Sequence, residues 1–240
     1  MKILLAPSKS QHPRPIAVDL PKRVLMDESF SREVMTQLKA LDPSQLALAM
    51  KLSPKLTQET YQLFQAYGPR ISLRTPALWL YTGVVYDQLT PDDYDQNQLA
   101  YIDKHVRILS ALYGLIHPFT PIWAYRLDLT MKLDLSLRNH WKPLIHKALK
   151  REELILDLSS QEFSSLLDPK HLNLHHVEFM QRQGETLVIL STPAKQARGA
   201  LAHQLILHGI TDVEGMRHVK VLDYQVDESR SHDKLTVFIR

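Results

Sequence analysis

The chain opens Met1-Lys2-Ile3-Leu4-Leu5-Ala6-Pro7-Ser8-Lys9. Ile3 to Ala6 is apolar without a polar break, and Pro7 and Ser8 stop it. A run without alternation is the mark of a strand buried on both faces, the habit of parallel sheets. Leu154 to Leu158 has the same character. Between and beyond these runs lie patterns of helical period, so strands and helices interleave along the chain. That order gives an α/β protein with a central mixed sheet and flanking helices.

Working outward from the first strand, residues 10–22 hold three prolines and read as a loop. Val34, Leu38 and Leu41 then lie at i, i+4 and i+7, one apolar stripe of a helix. Asp42-Pro43 and Ser53-Pro54 are two further helix starts, each a capping side chain followed by a proline whose missing N–H costs nothing there. The helix begun at Pro54 should stop at Gly68-Pro69. Ala77 to Tyr81 reads as a strand broken by Gly83, and Thr90-Pro91-Asp92-Asp93 as another helix start. Val106 to Ile116 reads as a strand, Asn139 as the cap of a helix through Lys150, and a short helix is expected after Ser160. Val177–Met180 and Thr186–Leu190 flank Gln183-Gly184 as a hairpin. Thr192-Pro193 opens a helix to His208, with Gly209 in the left-handed position that ends it. Val219–Val226 and Leu235–Ile239 are the last two strands.

The 240 residues are 44% hydrophobic and 23% charged, the profile of a globular protein, and no linker or repeat divides them. One domain over 1–240 is expected. There is no cysteine, which excludes disulfides, thiolate nucleophiles and Cys-ligated metals. The opening apolar run is too short for a signal peptide, and no stretch approaches the roughly 20 apolar residues of a membrane span. A cytosolic monomer without a membrane contact is the expectation. The 12 histidines show no metal-site spacing, and there is no GxGxxG, Walker A, GxSxG or HExxH motif. No metal or cofactor is expected.

Net charge is only +3, so the placement of the cations carries the functional argument. Lys195 and Arg198 fall in the first two turns of the helix opened by Thr192-Pro193. The positive end of the helix dipole disfavours cations there by about 0.3–1 kcal/mol, and a bound anion would offset that. Gly199 beside them would let a ligand or another backbone approach closely. Ser8 and Lys9 follow the first strand, where ligands collect in α/β sheets. Arg107, Tyr113, Tyr125 and Arg126 form a third group, arginines beside aromatics, which suits base stacking and backbone contact. Buried tyrosines with bonded hydroxyls are the equal alternative. Glu162 is the acid placed to act as a general base or to pair with Lys195.

In family order, the chain carries ILLAPSKS at its start, then Ser53-Pro54-Lys55-Leu56 and Tyr81-Thr82-Gly83-Val84-Val85-Tyr86. HVRILSALYGLIHPFTPIWAYRLDL follows at 105–129, then LDLSSQEF at 156–163 and AKQARG at 194–199. By these segments, which cover residues 1 to about 200, the chain resembles the YaaA-type peroxide stress protein family. It departs at Ala111, where the family usually has glycine, and at Gln161, where an acid is common. The resemblance implies a compact α/β fold of unusual topology with a positively charged cleft. It also implies binding of double-stranded DNA, helped by a helix-hairpin-helix-like element, and protection of DNA under peroxide stress. Its cleft residues would be Ser8, Lys9, Lys55, Tyr113, Arg126, Lys195 and Arg198.

Two main function classes follow, beside a third in which a stress-induced interaction protein carries an incidental basic patch. In the first, the protein binds double-stranded or distorted DNA through Lys9, Lys55, Arg107, Arg126, Lys195 and Arg198 on phosphates, with Tyr113 or Tyr125 against sugar or base. In the second, it is an enzyme acting on damaged nucleic acid or a phosphorylated small molecule, with Lys9 or Lys195 as nucleophile or clamp and Glu162 as acid or base. Convergence of Ser8, Lys9, Glu162, Lys195 and Arg198 on one small pocket would favour the enzyme. A long open groove would favour simple binding.

Overall fold

The computed structural model describes residues 1–68 and 72–240. In chain order the first half runs β1 (Lys2–Leu5), α1 (Glu28–Ala40), α2 (Pro43–Met50), α3 (Pro54–Gln65), β2 (Thr75–Pro76), α4 (Ala77–Leu80), a 3₁₀ turn at Tyr86–Gln88, and α5 (Gln96–His105). The second half runs β3 (Val106–Ser110), β4 (Gly114–Ile116), β5 (Pro121–Ile122), α6 (Leu137–Leu149), β6 (Ile155–Leu158), α7 (Gln161–Ser164), β7 (Leu174–Gln183), β8 (Thr186–Val188), α8 (Ser191–His208), α9 (Val213–Arg217), β9 (Gln225–Val226) and β10 (Leu235–Ile239).

Among the described residues the main sheet has eight strands in the order β4-β3-β1-β6-β7-β10-β9, with β8 paired to β7. The central pairings β3–β1–β6–β7–β10 are parallel, and β4, β8 and β9 add antiparallel edges. The expected mixed sheet is therefore present. Ile3, Leu4 and Leu5 are fully buried, as the unbroken apolar run requires. From β1 the chain moves to β3 on one side, and it later returns to place β6 on the other. Strand order thus reverses at β1, and a crevice opens beyond the carboxyl ends of β1 and β6. The helices α5 and α8 pack against each other, α5 on β1 and β3 and α8 on β7.

The capping logic held where tertiary structure left the side chains free. Asp42 and Gln45 form a reciprocal capping box at α2, Ser53 caps α3, and Gly209 ends α8 at φ 63°. Asn139 does not cap α6: Ser136 does, accepting from the Asn139 backbone N–H, so Asn139 lies within the first turn. Ala77 to Leu80 is a helical turn, not a strand. All four side chains are buried, so the segment carries no period that could decide between the two. Thr90 to Asp93 is a turn, because Asp92 takes the Trp79 indole N–H at 2.8 Å and the Arg14 guanidinium at 2.5 Å. Helix α5 starts instead at the capping box of Asp95 and Gln98. Helix α3 ends at Gln65, short of Gly68, and Pro69 lies outside the described residues. Only Gln225 and Val226 of the 219–226 segment pair as a strand.

Val106 to Ile116 is a strand, a tight turn and a second strand, with Ser110 opposite Gly114. The turn forms with alanine at 111, where the family usually has glycine. The glycine it needs is Gly114, at φ 74°, where an added Cβ would meet the Trp141 ring at 2.5–3.0 Å. Trp141 is fully buried and donates its indole N–H to the Ala111 carbonyl at 2.8 Å.

Candidate functional site

A cavity of about 570 Å³ occupies the crevice. Its walls are the loop after β1 (Ala6 to Gln11), residues 83–86, residues 125–128, the loop after β6 from Leu158 to Phe163, and Ser191, Lys195 and Arg198 of α8. Ser8, Lys9, Glu162, Lys195, Arg198 and Arg126 all line it.

The local chemistry explains why these loops stay together. Gln11 donates its side-chain N–H to the Ser8 carbonyl at 2.9 Å and accepts from the Tyr125 backbone N–H at 2.9 Å, tying the first loop to residues 125–128. Ser8 Oγ accepts from the Ser10 backbone N–H at 3.1 Å. Glu162 accepts from the Leu129 backbone N–H at 2.8 Å, which joins α7 to the same segment. Asp157, buried at the end of β6, accepts from the Ser159 N–H and hydroxyl at 2.9 and 2.6 Å and from the Ser164 hydroxyl at 2.5 Å. His176 of β7 lies 3.3 Å from its other side. Burial alone pushes this carboxyl up, but the bonds from His176, Ser159 and Ser164 together hold it below its usual value. The anionic Asp157 therefore braces the turn that delivers Ser160 and Glu162.

Four cations face the cavity in two states. Lys9 is already paired, its ammonium 2.7 and 2.9 Å from the two Asp128 oxygens. Among the described residues, Arg126, Lys195 and Arg198 have no acid within ion-pair distance. Arg198 Nε is buried with no hydrogen-bond partner among them. Burial lowers the affinity of this guanidinium for its proton, with Asp157 and Glu178 opposing at longer range. An orphaned charged donor of this kind is expensive unless something accepts from it.

Several of the expected residues stand outside the pocket or are spent on contacts of their own. Tyr113 is fully buried, its hydroxyl 3.1 Å from both the Tyr67 hydroxyl and the Trp123 carbonyl. Tyr125 is buried, its hydroxyl shared with Tyr81 at 2.9 Å and Ser110 at 2.7 Å. Neither can stack on a base, and the core reading of the tyrosines wins. Arg107 lies on β3 away from the cavity and donates to the Asp103 and Val106 carbonyls. Lys55 is 89% exposed at the start of α3, beside Glu59, and is no part of the pocket wall. Gly199 is buried against the Val85 carbonyl, so its lack of a side chain serves backbone packing and not a ligand. Glu162 spends one oxygen on a backbone N–H and makes no ion pair with Lys195. Lys9, half exposed and paired, is not the desolvated amine a nucleophile would need.

Sequence reasoning missed Gln11, Asp128 and Asp157. Asp128 had a signal, an acid two residues after Arg126 in the YRLDL segment. Gln11 and Asp157 act on backbone and hydroxyl groups and left none. A second hollow of about 740 Å³ is lined by Arg32, Lys39, Arg74 and Trp123 among others. Its cations are engaged: Arg32 and Arg74 with Glu28, Lys39 with the Tyr67 carbonyl, and Arg74 over the Trp123 ring at 3.6 Å.

Fold and cavity together define an open α/β-sheet protein with a cation-rich pocket at the reversal of strand order. The chain belongs to the family described as peroxide stress protein YaaA, whose sequence model matches residues 1–230. It is 30% identical over 249 residues to a UPF0246 protein of Fusobacterium nucleatum subsp. nucleatum, covering 100% of this chain and 99% of that protein. UPF0246 proteins of Streptococcus sanguinis (strain SK36) and Streptococcus pneumoniae (strain ATCC 700669 / Spain 23F-1) are 30% and 32% identical over 245 residues. The Streptococcus sanguinis alignment covers 100% of this chain and 99% of its relative. Membership thus ties the chain to a peroxide stress family. Among the described residues no helix is long and apolar enough to cross a membrane.

Proposed function

We propose that the protein serves the peroxide stress response by binding DNA, holding one phosphate-bearing nucleotide unit in the pocket between β1 and β6. The observation that carries this reading is the convergence of Arg126, Lys195 and Arg198, without acid partners among the described residues, on one cavity. Phosphate is the anion that such forks and point charges fit. A cavity of about 570 Å³ takes one small ligand and not a duplex. The strand is therefore engaged where a unit leaves the stack, at a distortion, lesion or end. The rest of the duplex stays outside the pocket, and a second contact is assigned to α2 and α3, which meet through Lys51, a residue with left-handed φ of 53°. That pair, with exposed Lys51 and Lys55, is the helix-hairpin-helix-like element of this reading, a contact to backbone and not to sequence.

The enzyme reading is favoured by one fact: Ser8, Lys9, Glu162, Lys195 and Arg198 share a concave pocket rather than an open groove. Against it, Lys9 and Glu162 are both held in structural contacts. Binding to bulged duplex across a salt series tests the first reading. Replacing Lys195 and Arg198 by Ala should lower the slope of log affinity against log salt by about 2. Binding with no salt dependence in the wild type would refute it. Strand cleavage or a covalent adduct on a denaturing gel would move the assignment to the enzyme.

A further inference from the structure

We propose that the ligand of this pocket is a terminal phosphate monoester, as on a nucleotide or at a phosphorylated strand end, and not an internal phosphodiester. The proposal rests on the phosphate-binding reading above and names the kind of phosphate.

Charge makes the first argument. Lys9, Arg126, Lys195 and Arg198 line the cavity with Asp128 and Glu162, a net charge of +2. A monoester carries about −1.5 to −2 at neutral pH, because its second pKa is near 6. An internal diester carries a single charge and would leave the pocket cationic in a partly desolvated place. Lys9 is neutralised by Asp128, so the deficit falls on Arg126, Lys195 and Arg198.

The arrangement of donors makes the second. Arg198 and Lys195 come from α8, Arg126 from the segment after β5, Ser8 from the loop after β1, and Ser160 from the loop after β6. Five donors thus approach from four separate pieces of chain. A monoester offers three free oxygens and leaves by one ester bond, so it can accept on every side but one. A diester has two free oxygens and needs an exit for chain on two sides. The carboxyl ends of β1 and β6 lie beneath the cavity, and the buried Leu158, Phe163 and Tyr86 form part of the lining. A monoester therefore offers these donors one more free oxygen than a diester does. Arg198 lines the cavity and finds no acid within ion-pair distance among the described residues, so its guanidinium is a donor that an additional free oxygen would suit.

Oxidative attack on deoxyribose breaks strands and leaves phosphate-bearing ends, so this ligand class arises in the stress for which the family is named. The same chemistry is present on free mononucleotides, and the test separates the two sources.

Full-length protein is titrated by fluorescence anisotropy into three duplexes of one sequence. One is closed at both ends by loops, one carries a nick bearing a terminal phosphate, and one carries the same nick with hydroxyls only. A deoxynucleoside monophosphate and the matching nucleoside serve as competitors. The phosphorylated nick should bind about tenfold or more tighter than the hydroxyl nick, the ratio one charge-assisted contact gives. That advantage should shrink below about pH 6, as the monoester takes up its second proton. Arg198→Ala should abolish the difference; Arg126→Ala, at a half-exposed position, repeats the test if the first variant does not fold. The monophosphate should compete and the nucleoside should not.

Equal binding to the phosphorylated and hydroxyl nicks, with a steep salt dependence, overturns this proposal and leaves DNA binding standing. Binding of the monophosphate with none of DNA supports the proposal, assigns the free nucleotide as the source, and removes the DNA reading. Binding of neither overturns both.

Discussion

Gly199→Ala sets two well-known effects against each other in the middle of α8. An added methyl would lie in hard contact with the Val85 carbonyl, 2.9 Å from its carbon and 3.0 Å from Gln88 Cβ. Two of these neighbours are backbone atoms of the 3₁₀ turn entry, which cannot rotate away as a long side chain could. Overpacking of this sort costs about 1–3 kcal/mol, with the upper end fitting a rigid neighbour. Alanine regains about 1 kcal/mol over glycine in a helix interior. The clash wins, leaving a net loss of about 2 kcal/mol. For a domain of this size that lowers Tm by roughly 4–8 °C. Because Val85 and Tyr86 line the pocket, ligand affinity should fall with it. Thermal unfolding followed by circular dichroism reads the first effect and anisotropy with phosphorylated DNA the second. A variant with Tm within about 1 °C of wild type, or above it, would refute the packing argument.

Three further outcomes are expected. Tyr113→Phe removes a buried hydroxyl that bonds to Tyr67 and Trp123, so stability should drop by about 1 kcal/mol while DNA affinity stays unchanged. Weakened binding at unchanged stability would instead restore a base contact for this ring. Burial, with Arg107 alongside, holds the His117 imidazole down at about 4. In its neutral form it donates to the Asp103 carbonyl at 2.8 Å and accepts from the Phe119 N–H at 3.3 Å. Its contribution to stability is thus complete above the unfolded value near 6.5 and is lost as pH falls toward 4. Urea midpoints of His117→Gln should fall less between pH 6.5 and 4 than those of wild type, and parallel curves would exclude the assignment. His176 has the opposite sign: the bond to Asp157 raises it, so its contribution is complete below about 6.5 and fades as pH rises through the folded value. Wild type should therefore lose more stability than His176→Ala on going from mildly acidic to mildly alkaline pH, measured by the same midpoints.

What the sequence revealed depended on whether a residue's partner was local. The first strand, the caps at Asp42 and Ser53, the Gln183-Gly184 hairpin and the end of α8 at Gly209 are settled by neighbours a few positions away, and each was readable. Ala77 to Leu80 was not, because a segment buried on every side has no face to give it a period. Thr90 to Asp93 has the composition of a helix start, but its Asp92 is spent on Trp79 and Arg14. The site divides in the same way. Ser8, Lys9, Lys195 and Arg198 could be picked out because they sit at the ends of elements, where α/β proteins gather ligands. Tyr113 and Arg107 looked alike in composition, yet the β3–β4 turn buries one and the Asp103 carbonyl occupies the other. Gln11 and Asp157 hold the pocket by bonds to backbone and hydroxyl groups across long stretches of chain, which no spacing records.

The wall of the cavity consists of guanidinium, ammonium, hydroxyl, amide and carboxylate groups on a frame of aliphatic and aromatic residues. The 240 residues contain no cysteine, and none of the seven methionines lines the cavity. Thiols and thioethers are the side chains that oxidants convert first, to sulfenic acid, disulfide or sulfoxide. A cavity lined without sulfur keeps its charge and its lining chemistry under oxidants that convert thiols and thioethers.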